Sequence, residues 1–258
     1  MSNEILGKVQ ILYEDADCAV LDKPAGLMVH SDAKNDGPFL TDWIVERFPE
    51  AKGVGESITT KDGEEMSRDG IVHRLDRETS GAIIIAKTQA GFASLKKQFQ
   101  DRSVKKKYLA FVWGELKEEF GTINKPIARS GSDFRKWSAG RGRRGEEREA
   151  ETYWTRIWTG QAQLEKFTLI EAEPKTGRTH QIRVHFVAIQ HPVVSDSLYA
   201  GSKPRALGFE RLALHSRTIA FVTMAGAHIQ ISAPLPEDFR TACHSLGIDL
   251  PEDGNRTD

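Results

Sequence analysis

Cysteine and long apolar runs are what this sequence has least of. Cys18 and Cys243 are the two cysteines among 258 residues, too few and too far apart for a disulfide framework or a zinc cluster. No apolar run is long enough to span a bilayer. The first twenty residues carry acids where a signal peptide would be basic and then apolar. We therefore expect a globular, cytoplasmic protein that is a monomer.

The sequence also lacks an excess of either charge. Lys and Arg total 36 against 37 Asp and Glu, so the formal net charge of −1 does not indicate a polyanionic partner. The basic residues are nevertheless clustered: Lys105, Lys106 and Lys107 are consecutive, and the range 135–148 contains six basic residues, Arg135 and Arg148 included. A nucleic-acid binder needs positive charge on one face only, although most such runs are plain solvated surface.

Several motifs for common chemistries are missing. There is no G-x-x-x-x-G-K-[ST], no G-x-G-x-x-G and no G-x-S-x-G, so nucleotide cofactors and a serine hydrolase are not indicated. His180 and His185 are five residues apart, not the four that put two imidazoles on one helical face, and no cysteine or acid stands in register. We expect neither a metal nor a cofactor.

Apolar periodicity predicts more strands than helices, and the strands rarely alternate with helices along the chain. Strands are expected at 9–15, 18–24, 71–72, 82–86, 105–114, 152–158, 167–173, 212–214, 218–222 and 229–232. Helices are expected at 40–48 and 89–102, near Thr179 with a stripe of Ile182, Phe186 and Ile189, and after Pro236. This pattern favours an α+β fold with a central mixed, mainly antiparallel sheet and flanking helices.

Two stretches are predicted to lie outside regular structure. Residues 129–149 are rich in Gly, Arg and Ser and poor in apolar residues, which predicts a basic loop, mobile when unbound. Residues 251–258 form a polar tail. One domain is expected over 1–250, with 129–149 as its insert.

The segment HRLDRETSG, at 73–81, combines a carboxylate with cations. Asp76 stands between Arg74 and Arg77 in a polar turn between apolar strands. Fixed cations hold a carboxylate ionised, which suits a nucleophile or a base. The arginines are equally suited to bind phosphates. Alternatively, Asp76 and an arginine form a solvent-facing ion pair at a strand end that has no function in catalysis or binding.

The segment EPKTGRTHQIRVH, at 173–185, is typical of a turn followed by a helix. Gly177 supplies a tight turn, and Thr179 is a candidate cap for a helix that opens with His180, Gln181 and Arg183. Such a helix start offers free N–H groups and basic side chains to an anion.

Six segments, in order, resemble the RluA/RsuA family of RNA pseudouridine synthases. They are ILYEDADCAVLDKPAGLMVH, HRLDRETSG, KKKYLAFVWG, EPKTGRTHQIRVH, HPVVSDSLYAG and RLALHS. The resemblance implies the pseudouridine synthase catalytic fold, an RNA-binding cleft with Asp76 in its floor, and no preceding S4-type domain. In HPVVSDSLYAG, Ser195 and Ala200 stand where the family commonly has Gly, and we expect these small residues to be tolerated.

The resemblance also implies roles for five residues. Asp76 corresponds to the catalytic aspartate, and Arg74 to the arginine that replaces the flipped base in the RNA stack. Tyr108 corresponds to the active-site tyrosine that stacks on the uracil, Arg183 to the cation that pairs with the catalytic carboxylate, and Ile182 to an apolar residue lining the base pocket.

Further RNA contacts are expected from five basic residues: Arg77, Lys105, Arg141, Arg143 and Arg144. The substrate implied is a uridine in structured transfer or ribosomal RNA. The route of Asp76 stays open between attack at ribose C1′, addition at C6 of the base and removal of a ribose proton. The alternatives are a non-catalytic RNA-binding module or chaperone on the same fold, and a hydrolase that uses Asp76 and releases a small product.

Overall fold

The computed structural model describes residues 2–31, 37–56, 58–59, 65–140, 142–162, 164–250 and 256–257. Within these ranges the chain forms five α-helices and one 3₁₀ turn at Pro49–Ala51. The helices are α1 (Ser2–Leu6), α2 (Leu40–Arg47), α3 (Gln89–Gln100), α4 (Gln181–Ala188) and α5 (Glu237–Ser245). None of these five is long and apolar enough to cross a membrane.

Strands are more numerous than helices in the same ranges, as predicted. They are β1 (Gln10–Glu14), β2 (Cys18–Lys23), β3 (Ile58–Thr59), β4 (Glu65–Met66), β5 (Ser80–Ala86), β6 (Lys105–Trp113), β7 (Phe120–Asn124), β8 (Ile127–Ser130), β9 (Trp137–Ser138), β10 (Arg143–Arg148), β11 (Glu151–Ala162), β12 (Glu165–Pro174), β13 (Leu214–Val222), β14 (His228–Ser232) and β15 (Arg256–Thr257). The α+β fold is therefore confirmed.

The chain divides into two compact units. The first comprises the described residues within Met1–Lys105, Ser216–Pro234 and Asp253–Asp258, and the second those within Lys106–His215 and Leu235–Glu252. The single domain expected over 1–250 stays a prediction.

The first unit is built on β1, β2, β5 and β13, which lie side by side in that order. β2 pairs antiparallel with both β1 and β5, and Lys23 at its end stands opposite Gly81. All seven residues of β5 are buried, which explains their near-continuous apolar sequence. Helix α3 covers this sheet through Phe92 and Leu95. The loops after β2 and before β5 consequently lie at the same end of the sheet.

The second unit contains an antiparallel sheet in the order β6, β12, β11, β7. Tyr108 on β6 stands opposite Ala172 on β12, and Trp113 stands opposite Phe167. The rings of Trp113 and Phe167 pack with centroids 4.8 Å apart. This sheet holds Tyr108 in a regular strand, where its side-chain direction is set by the pleat.

The prediction of an irregular loop at 129–149 is wrong. β8, β9 and β10 form a three-stranded antiparallel sheet in the order β10, β8, β9, called the basic sheet below. Ile127 of β8 and the flanking residues Ala139 and Ala150 are buried in one cluster with Val184 of α4, which anchors the sheet on this helix. Gly142 takes a positive φ of 81° next to β10, a conformation that amino-acid composition does not reveal.

The helix expected to start near Thr179 begins later and is buried all round. His180 is its N-cap residue, in the left-handed conformation with φ of 56° and without a side-chain cap, so the predicted Thr179 cap is wrong. Ile189 lies past the helix end, and every residue from 181 to 186 is buried. The late strand expected at 212–214 is also wrong, because β13 begins at Leu214 and runs on to Val222.

Candidate active site

Asp76 lies in the loop between the Ile71 bridge and β5 of the first unit. Leu75 before it and Thr79 after it are buried, at 4% and 2% exposure, and Asp76 itself is partly buried. The Thr79 amide donates to the Asp76 carbonyl at 3.1 Å, which closes a turn. The carboxylate is therefore presented on a short segment that is anchored on both sides.

The start of this loop requires glycine. Gly70 has φ of 82°, and a Cβ atom at this position would lie 2.1 Å from the Ala86 carbonyl oxygen. The Gly70 carbonyl accepts from the Ala86 amide at 2.8 Å. A side chain would break this contact, so Gly70 fixes where the loop leaves the sheet.

Lys23, at the end of β2, ties the Asp76 loop to the loop that follows β2. Its side chain is fully buried, and its ammonium donates to the carbonyls of Pro24 at 2.9 Å, Leu27 at 2.8 Å and Arg77 at 3.2 Å. The Gly26 amide donates to the Arg77 carbonyl at 2.8 Å, and Arg77 Nε donates back to the Gly26 carbonyl at 3.0 Å. Lys23 was not among the residues predicted from the sequence to serve the site.

The two arginines beside Asp76 point outward. Arg74 is exposed, and its Nη1 lies 3.4 Å from Nε2 of His30, at the long limit of a hydrogen bond. Arg77 is also exposed but uses its Nε for Gly26, and it lies 3.6 Å from a Glu78 carboxylate oxygen. Arg74 is thus the more loosely held of the two cations.

Tyr108 lies in the second unit with 8% of its surface exposed. Its neighbours at the start of β6 are basic: Lys105 is exposed, and Lys107 forms an ion pair with Glu171 at 2.9 Å. Desolvation lowers the pKa of Lys106 to about 8, which nearby Glu173 partly opposes. Lys106 is therefore less fully charged than a surface lysine at mildly alkaline pH.

Arg183, on α4, is nearly buried and forms an ion pair with a buried carboxylate. Its side chain is 10% exposed, and its Nε and Nη2 donate to the two carboxylate oxygens of Asp196, each at 2.8 Å. This is the bidentate fork for which guanidinium geometry is suited. Sequence reasoning missed Asp196, although it lies in HPVVSDSLYAG, because no spacing rule joins residues 13 apart across a loop.

The histidines considered for a metal have other partners. His185 is fully buried, with Nε2 3.0 Å from the Lys125 carbonyl oxygen and Nδ1 2.9 Å from the Thr152 hydroxyl. Because a carbonyl only accepts, Nε2 carries the proton, and desolvation lowers the pKa of His185. His180 Nδ1 lies 2.8 Å from the Tyr199 hydroxyl. Among the described residues no cluster of three His, Cys, Asp or Glu side chains has the arrangement of a metal site.

Four further residues were predicted from the sequence to contact the RNA or to line the base pocket, and their environments differ. Ile182 is 5% exposed in α4. Arg143 donates to the Pro126 carbonyl at 3.0 Å and pairs with Glu147 at 3.0 Å, so it holds the basic sheet together. Arg144 is exposed and stands opposite Arg129 in the ladder of β10 and β8, and no ion pair of its side chain is seen in the part of the chain that the structure describes. Arg141 lies outside the described residues.

One departure from the family pattern has a structural explanation. Ser195, where the family commonly has glycine, takes a positive φ of 57°. Its hydroxyl donates to the Phe209 carbonyl at 2.9 Å and accepts from the Ala206 amide at 3.3 Å. These local bonds offset the strain of the left-handed conformation.

Comparison with known proteins identifies the family. The profile described as RNA pseudouridylate synthase matches residues 17–188. A ribosomal large subunit pseudouridine synthase D of Xanthomonas campestris pv. campestris is 36% identical over 253 residues, 93% of this chain and 70% of that protein. An uncharacterized RNA pseudouridine synthase of Synechocystis sp. is 32% identical over 232 residues, 90% and 67% of the two chains.

The solved structure of human RNA pseudouridylate synthase domain containing 1 has the same fold. It matches with a TM-score of 0.71 and 26% identity over 90% of this chain and 85% of that one. Together with the family profile, this confirms the resemblance inferred from six segments. The chain belongs to the RNA pseudouridylate synthase family and is an RNA pseudouridine synthase, an isomerase.

Proposed function

We propose that this chain isomerises specific uridines in structured ribosomal or transfer RNA, with Asp76 as the catalytic carboxylate. The observation that carries the proposal is the anchoring of the Asp76 loop by buried flanks and by Lys23. A catalytic carboxylate needs such a fixed support, because small misplacements cost large factors in rate. In the reaction the N1–C1′ bond breaks, a C5–C1′ bond forms, the C5 hydrogen leaves as a proton, and N1 gains one.

The target base must leave the helix before Asp76 can act on the uridine. Flipping costs roughly a few kcal/mol. Arg74 would fill the vacated place in the stack, which its exposed and loosely held side chain suits. Tyr108 would supply a flat face for the uracil, an interaction worth about 1–3 kcal/mol per base.

Arg183 would act on Asp76 by pairing with its carboxylate. The fork with Asp196 uses two of the five N–H donors of the guanidinium. A cation held in this way needs no further ordering before it pairs with a carboxylate. Ile182 would line the base pocket, as the family resemblance implies.

The basic sheet would contact the RNA outside the reacting nucleotide. Arg144 is exposed on β10, and Phe134 is 79% exposed. A cation for phosphates and an aromatic ring for bases are the usual means of sequence-tolerant RNA binding. Arg77 and Lys105 are the corresponding candidates in the first unit.

The test is isomerisation by the wild-type chain. Unmodified transcripts of large-subunit ribosomal RNA come first, because the Xanthomonas relative is named for that subunit, and transfer RNA transcripts come second. Tritium placed at C5 of uridine should be released as water, and carbodiimide labelling should mark the product at one or a few positions without a change in RNA mass. Tight binding without tritium release on either RNA class would reject catalysis in favour of an RNA-binding module. Release of free uracil would indicate a hydrolase instead.

A further inference from the structure

Asp196 and Tyr199, in the segment HPVVSDSLYAG, surround the Arg183 guanidinium. Asp196 is 2% exposed and accepts from two side-chain and two backbone N–H groups. The side-chain donors belong to Arg183, and the amides of Leu198 and Tyr199 each donate to Oδ1 at 3.0 Å. Because backbone amides orient the carboxylate, its fork on Arg183 has one geometry.

The Tyr199 ring holds the guanidinium from one face. Arg183 Cζ lies 4.8 Å from the ring centroid, a cation–π distance. Arginine has several rotatable bonds, which the fork and the ring together restrict. The guanidinium is thus placed in advance of any RNA.

The Tyr199 hydroxyl continues the network to the basic sheet. It accepts from the Trp137 amide of β9 at 2.9 Å and lies 2.8 Å from Nδ1 of His180. The Arg129 guanidinium of β8 in turn lies 4.5 Å from the Trp137 ring. One tyrosine therefore touches both the cation assigned to the reaction and a strand of the proposed RNA-binding sheet.

We propose that Asp196 and Tyr199 are positioning residues of the isomerisation, in which Asp196 orients Arg183 and Tyr199 joins Arg183 to the basic sheet. The proposal rests on the function proposed above for Arg183. It assigns the Tyr199 ring to the catalytic step and the Tyr199 hydroxyl to RNA binding. A purely structural network would affect stability alone.

Asp196→Asn tests the fork. The amide cannot accept from both guanidinium nitrogens, so kcat on the transcript that the wild type modifies should fall about 100-fold, the cost of a small misplacement, with little change in KM. The matched control is Asp238→Asn, because Asp238 forms a similar bidentate pair with Arg211 in the same unit. The control should lower the melting temperature and leave kcat of the folded protein unchanged. If Asp196→Asn does not fold, Asp196→Glu keeps the charge, lengthens the arm and should still reduce kcat.

Two substitutions of Tyr199 separate the ring from the hydroxyl. Tyr199→Phe keeps the ring and loses one hydrogen-bonding group, so KM should rise about three- to tenfold at nearly constant kcat. Tyr199→Leu loses both and should also lower kcat. The amide of Trp137 should exchange its hydrogen faster in Tyr199→Phe, which reports the broken bond without any RNA. Tyr153→Phe, at an exposed position of β11, is the control.

The outcomes distinguish this inference from the proposed function. If the wild type isomerises no RNA, the proposed function fails, while hydrogen exchange at Trp137 still reports on the network. If the wild type is active and folded Asp196 variants keep kcat within about threefold, Asp196 has no positioning role. If Tyr199→Phe matches the wild type in KM and in Trp137 exchange, the connection to the basic sheet is wrong.

Discussion

The loop that carries Arg74 and the helix that carries Arg183 hold their cations in different ways. Arg74 is exposed and meets His30 across 3.4 Å. Arg183 is 10% exposed, forked on a buried carboxylate and covered by a tyrosine ring. In the first case the backbone is fixed, by Lys23 and its three carbonyls, and the side chain is loose. In the second the side chain itself is fixed.

This difference matches the two tasks proposed for these residues. An arginine that replaces a flipped base must leave its resting position, so strong contacts in the free protein would oppose it. An arginine that pairs with a catalytic carboxylate gains from being held beforehand, because no ordering cost then falls on the reaction. The difference predicts that substitutions at the two sites will have unlike effects.

Among the substitutions that probe this comparison, the largest effect is expected from Arg183→Ala. It leaves the buried Asp196 without its cation, which should lower the free energy of unfolding by about 3–5 kcal/mol. Removal of a fixed charge from the site should reduce kcat by about 10²- to 10³-fold. Denaturant unfolding and single-turnover tritium release measure the two effects.

Arg183→Lys sharpens this test. Lysine keeps the charge but cannot form the bidentate fork on Asp196, because that geometry belongs to the guanidinium. Its kcat should lie between those of the wild type and Arg183→Ala. A kcat equal to that of the wild type would contradict a role for the fork.

A smaller decrease in rate is expected from Tyr108→Phe. Tyr108 is 8% exposed on β6, so it belongs with the fixed side chains. Phenylalanine keeps the stacking face and lacks the hydroxyl that can move a proton, so kcat should fall about 100-fold while RNA affinity changes little. Equal decreases in rate and affinity would show that the hydroxyl contributes to RNA binding and not to proton transfer.

Arg74→Ala should weaken turnover without destabilising the protein. The free energy of unfolding should stay within about 0.5 kcal/mol of wild type, as for an exposed residue with few contacts. The flipped RNA then lacks a stacking partner, at a cost of about 1–3 kcal/mol, which should appear mainly in KM. Destabilisation as large as that of Arg183→Ala would remove the contrast between the two arginines.

The smallest effect is expected from Arg144→Ala in the basic sheet. The logarithm of RNA affinity falls as the logarithm of salt concentration rises. If Arg144 binds one phosphate, its removal should make this dependence shallower by roughly one unit of slope, with kcat on saturating RNA nearly unchanged. Arg205→Ala is the control, an exposed arginine of the same unit that pairs with Glu210. Identical slopes for both variants and the wild type would mean that Arg144 binds no phosphate.

Local patterns in the sequence predicted the elements that apolar residues define. The hairpin of β1 and β2, the buried strand β5 and helix α3 lie where alternation or a period of three to four placed them. The family was recognisable because six segments kept both their residues and their order. The catalytic roles that those segments imply for Asp76, Tyr108 and Arg183 stay predictions.

The missed features depend on contacts that composition does not encode. The basic sheet lies in a segment rich in Gly and Arg, and the apolar residues that anchor it on α4 are few and widely spaced in the sequence. Helix α4 starts one residue late because His180 adopts a left-handed conformation. In the sequence, Lys23 is an ordinary lysine at the end of a strand. Its role is visible only in the structure, where its ammonium donates to three carbonyls that two loops contribute.

The most direct test of the proposed mechanism is Asp76→Asn, compared with wild type on the same RNA in single-turnover tritium release. Amide and carboxylate have nearly the same shape, so folding and RNA affinity should be retained while the rate falls by about 10³-fold or more. Asp101→Asn, an exposed acid just after α3, should match the wild type. Turnover by Asp76→Asn within tenfold of wild type would contradict the assignment of Asp76 as the catalytic carboxylate.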